Sequence, residues 1–131
     1  MKSTFLALIA SLFFLAACAA PATASPASAS MPTLTDPSQE IMVNTGDTFL
    51  IVVESNPSTG YHWEIVGDLK GIEFVSREFT QSEHVMPGSG GVEVWTFKAI
   101  APGDASFTIG NYPPGDGTTY EQELKFSITV Q

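Results

Sequence analysis

The sequence predicts an all-β protein, an immunoglobulin-like antiparallel β-sandwich of about seven strands. Apolar and polar residues alternate with a period of two along most of the chain after residue 38, and no stretch carries a persuasive helical repeat. Turn residues interrupt these runs at regular intervals, which is typical of a sandwich built from short strands. Cys18 is the only cysteine, so no disulfide of the antibody type is expected and only the architecture is implied.

The strands follow in order from their apolar positions. These are Ile41 and Val43; residues 49–53; Tyr61, Trp63 and Ile65; Ile72 and Phe74; Trp95, Phe97 and Ala99; Phe107 and Ile109; and Leu124, Phe126, Ile128 and Val130. Residues 49–53 are apolar on both faces, which favours a central position in a sheet. Trp63 and Trp95 are expected in the core, because each buries a large apolar surface. Gly, Pro, Asn and Asp mark the turns between these runs.

Residues 1–17 are typical of a lipoprotein signal peptide. An early positive charge precedes an apolar run over residues 5–15, which is too short to span a bilayer as a helix. The stretch LAAC resembles a bacterial lipobox and makes Cys18 the expected lipidation site. Two acyl chains already give stable membrane anchoring. The alternative is ordinary signal cleavage after Ala20 or Ala24, which would discard the cysteine.

The rest of the chain divides into a tether and one domain. Residues 18–37 are expected to hold the lipidated cysteine and a flexible tether, because residues 19–30 are almost only Ala, Ser, Pro and Thr. Residues 38–131 are enough for one compact domain. This organisation predicts an exported protein of the bacterial cell envelope. Ala19 after the cysteine is compatible with anchoring at the outer membrane.

The mature chain is strongly acidic. Without the signal peptide, four cationic side chains face 14 acidic ones, a net charge of −10. The cations are Lys70, Arg77, Lys98 and Lys125. Nucleic acids and anionic membrane surfaces both attract Lys and Arg, so the composition argues against either as a partner.

The sequence lacks the usual signs of catalysis. His62 and His84 have no cysteine beside them and no metal-site spacing. Gly88-Ser89-Gly90 lacks the spacing of a nucleophile elbow, and residues 88–91 lack the Lys-Ser/Thr ending of a phosphate-binding loop. We therefore expect a binding protein that is no enzyme and uses no metal or cofactor.

The first of three candidate binding loops, residues 56–61, reads NPSTGY. The Asn56 side chain can close an Asx-type turn, Pro57 restricts φ, and Gly60 can adopt a positive φ. Such a loop is stiff before it meets a partner, which lowers the entropy lost on binding. Ser58 and Thr59 at the tip are small and uncharged, so they can enter a narrow cleft without burying an unpaired charge.

Two further loops differ in what they present. The second loop, residues 86–91, reads MPGSGG and carries little side chain, so its backbone can approach a partner closely. The third loop, residues 112–114, reads YPP and offers an aromatic on a rigid proline stem. Exposed aromatics of this kind are frequent interface anchors.

Two motifs, NPSTGYHW and GSGGVEVWTFKAIAPG, followed by a proline-bearing loop before the last strand, resemble the chagasin family of inhibitors of papain-like cysteine proteases. The resemblance covers residues 38–131. It implies a sandwich whose three loops form a wedge that occludes the protease cleft reversibly, without a covalent bond. The residues implied to bind the protease are Asn56, Pro57, Ser58, Thr59, Gly60 and Tyr61 in the cleft, Gly88, Ser89, Gly90 and Gly91 along one wall, and Tyr112, Pro113 and Pro114 on the other side.

The third loop departs from the family pattern. Family members typically carry Arg-Pro-Trp or Arg-Pro-Phe there, whereas Tyr112-Pro113-Pro114 lacks both the arginine and the final aromatic. We expect a monomer whose partners are a papain-like protease and, through Cys18, a membrane. The alternative is a non-inhibitory envelope lipoprotein that uses an immunoglobulin-like module for binding or adhesion.

Overall fold

Apart from one turn of 3-10 helix, the regular secondary structure of the described residues is all β-strand, which confirms the all-β prediction. The structure, a computed structural model, describes residues 31–83, 86–115 and 117–131. The predicted signal peptide 1–17, Cys18, the tether up to residue 30 and His84 lie outside these residues. The strands are β1 (Thr33–Leu34), β2 (Glu40–Val43), β3 (Thr48–Ser55), β4 (His62–Val66), β5 (Ile72–Gln81), β6 (Gly91–Ala99), β7 (Gly103–Tyr112) and β8 (Gln122–Val130). Among the described residues, no helix has the length and apolar character needed to cross a membrane.

The strands form two four-stranded sheets packed as a sandwich. The first sheet has the order β1-β3-β6-β5 and the second the order β2-β8-β7-β4. The sheets are mixed rather than purely antiparallel, because β1 pairs parallel with β3 and β2 pairs parallel with β8. From β1 to β3 the chain crosses to the second sheet and back, reversing direction each time, so β1 and β3 run the same way. Residues 49–53 lie on the interior strand β3, as predicted.

The fold begins before the predicted domain boundary at Ser38. Leu34 of β1 is only 1% exposed and belongs to the core cluster, and the Leu50 amide donates to the Pro32 carbonyl over 2.8 Å. Residues 31–37 therefore do not all belong to a free tether. A two-residue strand is too short to show a periodic pattern, so the sequence alone placed the domain boundary after it.

The core fills the space between the two sheets with aliphatic and aromatic side chains. Trp63 and Trp95 are both buried, as predicted. Phe97 of β6 and Phe107 of β7 meet across the sandwich with ring centroids 4.8 Å apart. Each buried side chain of this size contributes about 1.5–3 kcal/mol of hydrophobic stabilisation.

A β-bulge in β5 changes which residues face the sandwich interior. Phe74 pairs with Phe97, but the register shifts between Phe74 and Ser76, so Arg77 lies opposite Trp95 and Phe79 opposite Glu93. Directly opposed residues of an antiparallel pair share a face. Because Trp95 and Glu93 point inward, Arg77 and Phe79 point inward as well, at the end of the sandwich where the core stops.

The connections β3–β4, β5–β6 and β7–β8 all lie at this same end of the sandwich, which we call the loop end. Their closeness follows from the register, in which Ser55 pairs with Gly91 and His62 pairs with Tyr112. The turns at residues 44–47, 67–71 and 100–102 lie at the opposite end, the rear end. The topology thus brings together the three loops that the sequence singles out.

Candidate functional site

The first loop is held in shape by its own hydrogen bonds. Pro57–Thr59 form one turn of 3-10 helix, and the Asn56 side-chain oxygen accepts from the Ser58 amide at 3.3 Å and the Ser58 hydroxyl at 2.6 Å. The Thr59 hydroxyl donates to the Asn56 carbonyl over 2.7 Å. Gly60 closes the turn with φ = 83°, a left-handed conformation that favours glycine. The predicted Asx-type turn and the predicted positive φ are both confirmed.

The tip of the first loop faces solvent while its two ends are held. Residues 57–60 are exposed, whereas Asn56 and Tyr61 are half-buried. The Tyr61 hydroxyl donates to a carboxylate oxygen of Glu121 over 2.9 Å. This hydrogen bond and the negative charge of Glu121 raise the pKa of Tyr61 above its usual value. Tyr61 therefore secures the base of the loop instead of extending its tip.

Asn56 also joins the first loop to the second. Its side-chain nitrogen donates to the Gly88 carbonyl over 3.0 Å. The second loop is itself a closed turn, since the Ser89 amide donates to the Met86 carbonyl at 2.9 Å and the Met86 amide to the Ser89 hydroxyl at 2.8 Å. Gly88 has φ = 84° within this turn. The two loops thus form one braced unit.

Gly90 and Gly91 let the strands behind these loops approach closely. A Cβ atom on Gly90 would lie 3.0 Å from the Ser55 carbonyl oxygen, and one on Gly91 would lie 2.1 Å from the Thr80 carbonyl oxygen. The second contact is far inside van der Waals distance, so only glycine is compatible with the backbone at Gly91. Packing at the base of the loop therefore accounts for this residue.

The third loop does not present its aromatic side chain as the sequence suggests. Tyr112 is the last residue of β7 and is half-buried, not an exposed anchor. Its ring stacks on His62, with centroids 5.8 Å apart, and meets the edge of Tyr120 at 5.8 Å. These two partners hold the ring against the second sheet. Sequence alone could not show this, because His62 is distant in the chain and meets Tyr112 only through the register of β4 against β7.

Pro114 is the residue of the third loop that reaches the first loop. It is exposed, and a Cβ atom on Gly60 would lie 2.8 Å from the Pro114 Cβ atom. Gly60 therefore serves the loop twice, through its positive φ and through the space that it leaves for Pro114. Asn56 and Gly88 thus link the first loop to the second, and Gly60 and Pro114 bring the first loop against the third.

A buried polar group supports the loop end from below. Ser55, which precedes the first loop, donates its hydroxyl hydrogen to the Glu93 carboxylate over 2.7 Å, and Glu93 is 8% exposed. The other Glu93 oxygen lies 3.8 Å from the Arg77 Nε atom, close enough for an ion pair but too long for a hydrogen bond. Sequence reasoning missed this group. The available signal was Glu93 itself, a charge at an inward position of β6.

Arg77 extends this support to the second sheet. Its Nη1 atom donates to the Trp63 carbonyl over 2.8 Å, and its guanidinium lies 5.0 Å from the centre of the Trp95 ring. In the reverse direction, the Trp63 indole N–H donates to the Glu54 carbonyl over 2.9 Å. These bonds connect the two sheets at the point from which the first loop emerges, and the loop therefore stands on a fixed base.

The fold is similar to that of several solved structures. The chain is similar to the cysteine protease inhibitor EhICP2 from Entamoeba histolytica, with a TM-score of 0.64 and 19% identity over 77% of this chain and 96% of that one. It is similar to Amebosin, with a TM-score of 0.63 and 20% identity over 78% and 99%. It is also similar to Leishmania mexicana ICP, with a TM-score of 0.51 and 24% identity over 82% and 96%. These likenesses establish the fold.

Comparison with protein-family models establishes the family as well as the fold. No curated protein matches the chain. The family model described as chagasin family peptidase inhibitor I42 matches residues 42–130, which include all three loops and seven of the eight strands in whole or in part. The chain belongs to the chagasin family of peptidase inhibitors.

Proposed function

We propose that this protein is a reversible, non-covalent inhibitor of papain-like cysteine proteases and that its three loops occlude the active-site cleft. One observation carries the proposal. The first loop is exposed and uncharged at its tip, is shaped by its own hydrogen bonds, and is braced on one side by Gly88 and on the other by Pro114. A loop ordered in advance loses little conformational entropy when it binds.

Occlusion explains how such a loop would inhibit without reacting. Chagasin-family proteins are inhibitors and not enzymes. The hydroxyl groups of Ser58 and Thr59 already donate to Asn56, so the tip offers compact polar groups and no charge to desolvate. The loop would fill the cleft beside the catalytic cysteine and exclude substrate. No peptide bond of the loop need be cut, so the inhibitor would leave intact.

The second and third loops would widen the contact on either side. Gly88 and Ser89 offer backbone and a short side chain to one wall, and Pro113 and Pro114 offer a rigid apolar edge to the other. Because the Tyr112 ring is half-buried and stacks on His62, the third loop would contribute less than an exposed aromatic does. We therefore expect the first two loops to supply most of the affinity.

Titration of papain with the purified protein tests the proposal. We expect residual activity on a fluorogenic peptide to fall to zero near a 1:1 ratio, to return on dilution, and to leave the inhibitor uncut by mass spectrometry. Absence of inhibition at micromolar concentration across several papain-like enzymes would contradict the proposal. It would favour the alternative of a non-inhibitory binding or adhesion module.

A matched pair of threonine variants separates the loop from the fold. Thr59 at the loop end and Thr45 at the rear end are both exposed, and each donates its hydroxyl hydrogen to a backbone carbonyl. Thr59→Arg should abolish inhibition because the cleft cannot admit the longer, charged side chain. Thr45→Arg should inhibit as the parent does, with a similar loss of thermal stability.

We also propose that the protein is exported and held at the bacterial envelope by lipid on Cys18. The support is the sequence LAAC, which resembles a lipobox, and the apolar run before it. Mass measurement of the mature N-terminus checks this. An acylated Cys18 as the first residue is expected, whereas a mature chain that begins after Ala20 or Ala24 would contradict the anchor.

A further inference from the structure

An apolar groove lies between the first loop and the second, beside the end of β5. Its floor and one wall are Phe79 and Met86, large apolar side chains that are 44% and 67% exposed. Pro57 and Ser58 of the first loop form the opposite wall, and Pro87 and Gly88 complete it. The groove encloses about 470 Å³ and opens to solvent.

The bulge in β5 explains why Phe79 occupies this groove. After the register shift between Phe74 and Ser76, Phe79 lies on the inward face of its sheet, opposite Glu93. Ile72 at the other end of β5 is buried in the core, whereas Phe79 is 44% exposed and lines the groove. A Cβ atom on Gly91 would lie 2.8 Å from the Phe79 Cζ atom, which shows that the ring rests against the glycine backbone. Phe79 is therefore exposed and also held in place.

The groove stands out electrostatically from the rest of the protein. Every described residue that lines it is uncharged, on a chain with 14 acidic side chains. Exposed apolar surface of this kind marks a contact site more often than scattered single residues do. A charged partner group would lose hydration here without meeting an opposite charge. The chemistry therefore fits an apolar side chain.

We propose that this groove is an additional contact surface for the target protease and receives an apolar side chain from the wall of its cleft. The inference rests on the proposed function. It follows from continuity, because Pro57 and Ser58 belong both to the inserted loop and to the groove, so a body that encloses the tip also covers Phe79. The groove supplies the exposed aromatic that the third loop lacks, and it favours proteases whose cleft is apolar at this position.

Three serine variants test the groove. Met86→Ser should raise the inhibition constant about tenfold and Phe79→Ser by about tenfold or more, since loss of a buried apolar contact of this size costs at least one factor of ten in affinity. Met42→Ser is the matched control, because Met42 is 69% exposed but lies on β2 near the rear end. It should inhibit as the parent does. Phe79→Leu should recover most of the affinity.

The outcomes separate the groove from the inhibitory function. If the parent inhibits and Met86→Ser inhibits equally well, the groove proposal is overturned while the inhibitor stands. If the parent inhibits no papain-like protease, both proposals are overturned. If sedimentation shows a dimer of the free protein that Phe79→Ser dissociates, a second copy covers the groove and the proposal is again overturned. Thermal melts check that each variant folds, and Met86 on its exposed turn remains informative even if Phe79→Ser does not fold.

Discussion

Asn56 and Gly88 are linked across two loops by a hydrogen bond of 3.0 Å from the side-chain amide to the backbone carbonyl. The same side chain accepts two hydrogen bonds from Ser58. A single residue therefore shapes the first loop and also sets its distance from the second.

Asn56→Asp should weaken inhibition with a small effect on stability. The carboxylate can still accept from Ser58 but cannot donate to Gly88, and it brings a negative charge to that carbonyl. Loss of this bond should reduce the free energy of binding to the protease by about 1 kcal/mol, which raises the inhibition constant about five- to tenfold. Inhibition assays and thermal melts measure the two effects. Asn56→Ala loses both the acceptor for Ser58 and the donor to Gly88, so it should inhibit more weakly still. Equal inhibition by the parent and Asn56→Asp would show that the hydrogen bond to Gly88 is unimportant.

Gly60→Ala should disturb the contact between the first and third loops. The new methyl group would lie 2.8 Å from the Pro114 Cβ atom, and the φ of 83° would add about 1–2 kcal/mol of backbone strain. Both stability and inhibition should fall, as measured by urea denaturation and by protease titration.

Gly46→Ala is the control for Gly60→Ala. Gly46 has φ = 96°, and a Cβ atom there would meet nothing within 4 Å, so this variant carries the strain without the clash. It should lose stability but inhibit normally. Adding Pro114→Gly to Gly60→Ala should restore part of the inhibition, because it removes the clashing atom. Absence of any recovery would contradict the contact.

Tyr112→Ala should act on stability more than on binding. The ring packs against His62 and Tyr120, so its loss should lower the free energy of unfolding by about 2 kcal/mol. Tyr112→Phe retains the ring and should resemble the parent in a thermal melt. An Ala variant with an unchanged melt and much weaker inhibition would instead identify Tyr112 as a direct contact.

Arg77→Met should destabilise the fold at the base of the loops. It removes the hydrogen bond to Trp63 and leaves the buried Glu93 carboxylate without its cation. Because Arg77 is half exposed, we expect the free energy of unfolding to fall by about 2 kcal/mol, which is less than for a fully buried ion pair. Urea denaturation measures the loss. Combining it with Glu93→Gln should cost less than the sum of the two single changes, because no unpaired charge is then buried.

Asp47 should make the rear turn sensitive to acid. Hydrogen bonds from the Asn44 side chain and backbone amide hold the pKa of Asp47 below its usual value. The stabilisation is therefore complete above the unfolded pKa and is lost as pH falls through the folded one. The difference in melting temperature between the parent and Asp47→Ala should be constant near pH 7 and should shrink below about pH 4. A difference that grows on acidification would contradict this.

The long strands and the first loop could be predicted because their signals are local. Alternation with a period of two identifies the inward positions of Trp63 and Trp95, and the residue types at Asn56 and Gly60 indicate the turn that forms. Each of these patterns is contained within one short stretch of chain.

Other features depend on contacts between distant segments and could not be predicted. The bulge after Phe74 is not visible in the sequence pattern, because Ser76 and Arg77 are compatible with either face of a strand. Glu93 shows its inward position but not its partners, since these come from β3 and β5. The packing of Tyr112 likewise requires the register of β4 against β7.

The two ends of the described fold lie away from the loops. Met31 and Pro32 enter beside the start of β3, where the Pro32 carbonyl accepts from Leu50, and Gln131 bonds to Thr45 in a rear turn. Anything joined to the fold before Met31 or after Gln131 is therefore joined from behind. A surface, a bead or a fused protein attached at either point would leave the loops facing outward, so the domain is suited to display without any change in its geometry.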